Sequence, residues 1–229
     1  MKKLFLAIRH NDLQQVKDMI SKKPDLVHCT AKQPPKKDDG QSPLQVALKT
    51  GNFAIADYLL DMGADPNFME SEDCYYNDWR APALHDAIRA AVMESRWCVQ
   101  QGWSGQPVHY EVMSKPEVTE QAYRILEKMI SSGGDVNKLD SIGVNSIWRF
   151  FLDAQQVLPR NDEDKMYLFS DEVHSDMLRI LKLLKSSGAR FDVVHPSSGD
   201  TVYDWFYRGA AKTLLEEITA WDGDRDKAL

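Results

Sequence analysis

Three endings recur along the 229-residue chain: LLDMGADPN at 59–67, MISSGGDVN at 129–137 and, more loosely, LKSSGARFD at 184–192. Two apolar residues and two mostly polar ones lead into a glycine, a small residue and a polar turn. Glycine takes the left-handed position just past a helix without a Cβ clash, so Gly63, Gly133 and Gly188 each read as the stop of an amphipathic helix. The same stop three times in one chain means a repeated unit, and a repeat architecture takes precedence over any non-repetitive single-domain fold.

The opening of the unit lies upstream of Gly63, in GQSPLQVALKTGNFAIADYLLDMG. Ser42 suits an N-cap and Pro43 the first helical position, while Leu44, Ala47 and Leu48 form one apolar face. Thr50-Gly51-Asn52 breaks this short helix. A second helix, striped by Ile55, Tyr58, Leu59 and Met62, runs to the glycine. The unit is thus a turn, a short helix, a tight loop, a longer helix and a glycine stop.

This stretch resembles the ankyrin repeat, whose signature is G-x-T-P-L-H-x-A followed by a second helix ending L-L-x-x-G-A-D-x-N. Ser42 stands at the family's Thr and Gln45 at its His. APALHDAIRAAV keeps Leu84-His85-Asp86-Ala87; GVNSIWRFF at 143–151 keeps the glycine and a polar cap; GDTVYDWFYRGAAKTLLEEI at 199–218 keeps Gly199 and Thr201. LFLAIRHNDLQQVKDMISKKPDLVH resembles a first, capping unit. The resemblance implies an all-α ankyrin-repeat solenoid, with helix-turn-helix units and hairpin-like finger loops, in which neighbours share one core. It also implies that His85 hydrogen-bonds the neighbouring turns. The expected organisation is one domain over 1–218, with units near 1–39, 40–79, 80–140, 141–196 and 197–218, and a frayed tail at 219–229.

Unit length departs from the family. Ser42 to Gly63 spans 21 positions, whereas Pro82 to Gly133 spans 51 and Asn145 to Gly188 spans 43. Against a regular unit of about 33 residues, insertions of roughly 30 and 22 residues are expected between the paired helices, near 95–118 and 154–175. The helical spacing of Ala87, Ala91, Val92 and Trp97 suggests that the first helix of the third unit is elongated. Trp97, Trp103 and Tyr110 read as local packing, and Asp162–Asp164 as a solvated face.

Composition narrows the function. The formal charge of -7 argues against a nucleic-acid binder, which carries a basic stripe to offset phosphate, and fits a basic protein partner better. Three cysteines without CxxC spacing suggest free thiols in a reducing cytoplasm. No apolar run approaches the length of a membrane span. The basic amphipathic stretch DMLRILKLLKSS sits where a core-facing second helix belongs, so no membrane contact is expected and a monomer is favoured.

No catalytic set emerges. His85-Asp86 are adjacent on a helix and point apart; HYE at 109–111 lacks the P-C-x-x-C of a zinc deaminase; and no GxGxxG, P-loop, HExxH or EF-hand loop occurs. No enzyme, metal or cofactor is expected. The second connection, FMESEDCYYNDWR, instead interleaves Glu70, Glu72, Asp73 and Asp78 with Tyr75, Tyr76 and Trp79. Large aromatics either cover an open edge of the stack or form a rigid contact patch with acidic steering. The second alternative makes these seven residues the candidate partner-binding site. Three function classes follow: an adaptor or scaffold, an immunity (antidote) protein that occludes a basic toxin such as a nuclease, and an unrecognised enzyme.

Overall fold

The computed structural model describes residues 1–32, 35–72, 79–102 and 107–222. Its helices come in consecutive pairs: α1 (Lys2–Arg9) with α2 (Leu13–Lys22), α3 (Pro43–Lys49) with α4 (Phe53–Asp61), α5 (Ala83–Met93) with α6 (Pro116–Ser131), α7 (Ser146–Ala154) with α8 (Asp171–Ser186), and α9 (Val202–Trp205) with α10 (Gly209–Ala220). First helices contact first helices in the order α1, α3, α5, α7, α9, and second helices contact second helices in the order α2, α4, α6, α8, α10. The result is a two-layer helical stack. Each unit contributes the same pair of core positions, Leu4 and Ile8, Leu44 and Leu48, Leu84 and Ile88, Ile147 and Phe151, Val202 and Phe206, all buried. Second helices add Val16, Ile20, Ile55, Leu59, Leu126, Met129, Leu181 and Leu184, and the whole set forms one continuous cluster.

The recurring ending has a physical explanation that spans units. Gly63, Gly133 and Gly188 lie at φ of 86, 93 and 85°, the left-handed region that closes each second helix. Beyond the stop, Asp65 and Asp135 accept hydrogen bonds from the amides of Asn67 and Asn137, each at 2.8 Å. Those asparagines then reach forward. The Asn67 amide group donates to the Gly133 carbonyl at 2.8 Å and accepts from the Asp135 amide at 2.7 Å. Asn137 repeats both bonds with the Gly188 carbonyl and the Arg190 amide, each at 2.8 Å. The motif therefore holds consecutive stops in register.

Helix starts are satisfied in different ways. Ser42 and Gln45 form a reciprocal capping box. Gln45, at the position where the family carries His, also donates to the Ala81 carbonyl of the next unit at 3.2 Å. α5 has no side-chain cap; the amides of Ala83 and Leu84 instead donate to the carbonyls of Phe68 and Pro66 in the preceding finger.

The insertions correct the purely helical expectation. The expected elongation of α5 through Trp97 does not occur: the helix ends at Met93, and β1 (Cys98–Gln101) follows. β2 (His109–Val112) returns antiparallel to β1, and β3 (Tyr167–Leu168), from the other insertion, pairs with β1's opposite side to give the order β2-β1-β3. The Met113 amide donates to the Trp97 carbonyl at 2.9 Å, while the Gln100 amide donates to the Met166 carbonyl at 2.8 Å. Odd-numbered residues of β1 thus bond toward β2 and even-numbered ones toward β3. Trp97 packs edge-on against Tyr167, with ring centroids 5.9 Å apart.

Candidate protein-binding surface

A basic side chain recurs at one position of the first helices, five residues after the leading leucine: Arg9 after Leu4, Lys49 after Leu44 and Arg89 after Leu84. Each leans on an acid from further along the stack. Arg9 pairs with Asp38, and Arg89 with Asp153. Asp153 is fully buried and also accepts from Arg149 at 2.6 and 2.7 Å. Lys49 faces two carboxylates, Asp86 at 3.6 Å and Glu70 at 3.8 Å. Both distances lie just beyond good hydrogen-bond length.

That central trio is under-satisfied. Glu70 and Asp86 are each 3% exposed, and one oxygen of each, Oε2 and Oδ2, has no hydrogen-bond partner among the described residues. Burial pushes the Asp86 carboxyl up to about 7; Lys49 opposes that shift and the Glu70 charge adds to it. Beside the trio, between α3 and α5, opens a cleft of about 350 Å³ lined by Lys49, Phe53, Asp86, Arg89 and Met93 among others.

The structure distributes the predicted site residues unevenly. Glu72 is exposed and lies 3.5 Å from Arg80. Glu70 is turned inward onto Lys49, where it cannot present its charge to a partner. Trp79 is half-buried: its indole N–H donates to Asp140 at 2.8 Å, and the Arg149 guanidinium sits 5.2 Å from its ring centroid. Next to it, the Ser141 amide donates to the Arg80 carbonyl and the Arg80 amide donates to the Ser141 hydroxyl, at 2.9 Å each. Trp79 thus fastens one finger to the next. Asp73, Tyr75, Tyr76 and Asp78 lie outside the described residues.

His85 is buried, and its pKa falls to about 3, through burial first and the Arg149 charge second. The hydrogen bonds to neighbouring turns that the resemblance implied are not made: the Lys138 backbone approaches the ring without reaching hydrogen-bond geometry, and neither nitrogen has a partner among the described residues. The join that Asp86 makes with Lys49 is not visible in the sequence, because the two residues stand on helices of different units. The spacing that aligns Arg9, Lys49 and Arg89 was the signal available for the cations. Among the described residues no cluster of His, Cys, Asp and Glu has metal-site geometry, and no helix is long and apolar enough to cross a membrane.

Residues 4–101, a little under half of the chain, match the family model for ankyrin repeats in three copies. No curated protein matches the chain.

Proposed function

We propose, from the premise that the chain is an ankyrin-repeat protein, that it binds a protein partner without catalysis, in the cytoplasm, through its finger loops and the open face of its first helices. Ankyrin repeats mediate protein–protein interaction. The proposal treats the two-layer stack as a solenoid whose first-helix layer is the concave side. The observation that carries this reading is the cleft between α3 and α5, where Asp86 on the wall and Glu70 behind it each keep a carboxylate oxygen without a hydrogen-bond partner among the described residues. Lys49 is held too far from its two acids to satisfy either. A surface whose polar groups are left partly unmatched gains from a partner that completes them.

The charge of -7 favours a basic partner, attracted at long range before contact. A basic toxin such as a nuclease, occluded by this protein, is the specific form of partner that balance supports. Within the finger, Glu72, Asp73 and Asp78 are the steering groups, with Tyr75 and Tyr76 as anchors. Glu70 and Trp79 act one step back, by holding Lys49 and the neighbouring finger.

The test is affinity capture with wild type, Ala90→Trp and a Tyr75→Ala/Tyr76→Ala double variant. Ala90 lines the cleft from a half-buried helical position, so tryptophan there fills the space without deleting any polar contact. Loss of one partner by either variant, with helical circular dichroism unchanged, supports the reading. Capture that is identical for all three proteins removes both surfaces from consideration. A captured basic toxin would then have to be neutralised in cells by the wild type and not by the defective variant.

A further inference from the structure

β2 is the longer of the two edge strands of the sheet, the other being the two-residue β3. Because the Met113 amide donates to the Trp97 carbonyl, the hydrogen-bonded positions of this ladder are Trp97 with Met113 and, two residues on, Val99 with Glu111 and Gln101 with His109. The N–H and C=O groups of Tyr110 and Val112, and those of Val108 by continuation, therefore point away from β1 toward solvent. Such an edge is a template for another strand, and natural proteins usually shield it. Here the side chains do little shielding. Val108 is 59% exposed, Val112 52% and Met113 46%, and His109 and Glu111 are exposed.

The sequence of that edge, Val108-His109-Tyr110-Glu111-Val112, is symmetric about Tyr110 except that His and Glu occupy mirror positions. We infer that β2 pairs antiparallel with β2 of a second copy of this chain about a two-fold axis at Tyr110, joining two three-stranded sheets into one of six strands. In that register the outward-facing residues meet as the hydrogen-bonded pairs Tyr110 with Tyr110 and Val108 with Val112. His109 falls opposite Glu111, twice, at the non-hydrogen-bonded positions where side chains approach most closely.

Other registers are worse. An axis at Glu111 sets two carboxylates face to face, which is destabilising. An axis at Val112 opposes Glu111 with Met113 and leaves the carboxylate against an apolar side chain. The observed residue order thus complements itself in one register, as a closed two-fold contact requires. One strand pair with its flanking side chains falls short of the roughly 800 Å² per partner of a stable interface. Association is accordingly concentration-dependent, and at low concentration the protein is the monomer favoured from sequence.

Sedimentation of the full chain over a wide concentration range tests this. Wild type is expected to move from 26.1 kDa toward twice that mass. Val112→Pro removes an outward N–H that β1 does not use, and is expected to abolish the shift. Glu111→Lys and His109→Glu are each expected to weaken association by roughly tenfold, since two cross-strand pairs are lost per dimer, and the combination His109→Glu/Glu111→Lys to restore it. Should Val112→Pro misfold, the charge swap still decides. A wild type that stays at monomer mass throughout, or a dimer indifferent to the charge swap, overturns the inference.

Discussion

Asp86 sits at the join of two units, and its proton couples folding to pH. A carboxyl raised from 3.8 to about 7 in the folded state binds its proton more tightly folded than unfolded. Its contribution is therefore complete below about pH 3.8 and is lost as pH rises through 7. Asp86→Asn keeps the neutral form at every pH. Thermal melts should show the variant gaining on wild type between pH 4 and pH 8, by at most roughly 4 kcal/mol for a shift of this size. Parallel melting curves would show that Asp86 is ionised throughout. Two glycines make a second contrast. A Cβ at Gly63 meets nothing, whereas a Cβ at Gly209 would stand 2.5 Å from the backbone carbon and oxygen of Arg160. Gly63→Ala should cost about 1 kcal/mol, from the left-handed backbone alone. Gly209→Ala should cost more than about 2 kcal/mol, since backbone must shift to make room. Urea midpoints that rank the two the other way would refute the packing argument.

The finger-to-stop contacts work at the level of the element. Asn67 holds one helix stop against the next with two hydrogen bonds. Asn67→Ala should cost about 1–2 kcal/mol and should speed hydrogen exchange at the Asp135 amide; unchanged exchange there would mean that the bond is not made in solution. The helices and their stops were legible in the sequence, because a 3.6-residue stripe and a glycine at its end are local signals. Ser42, Pro43 and Gly63 do in the structure what their residue types suggest. The sheet was not legible. Cys98–Gln101 and His109–Val112 are short and mixed in polarity, and β1 finds β3 some seventy positions further on, which no window of sequence reveals. Trp97 satisfied a helical spacing while belonging to the strand's approach. The finger was legible as an aromatic and acidic segment. That Glu70 would turn inward onto Lys49 was not, because the direction of a loop side chain depends on a helix from another unit.

Across the whole molecule, units touch only their neighbours, so stability is shared out along the stack rather than pooled. α5 and α7 have partners on both sides, whereas α1 and α10 each close an end. Native-state hydrogen exchange should find the slowest amides in α5 and α7 and faster ones in α1, α2 and α10. Equal protection in all of them would point instead to a single cooperative unit. The β1–β3 pairing interrupts this regularity, since it ties the insertion after α5 to the insertion after α7. Two adjoining units are therefore splinted from outside the helical layers, while the joint between α3 and α5 carries no such brace among the described residues. A stack braced at one joint bends at the others. Any change of curvature that a partner imposes therefore falls on the joints without strand pairing, and the joint at which the cleft opens is one of them.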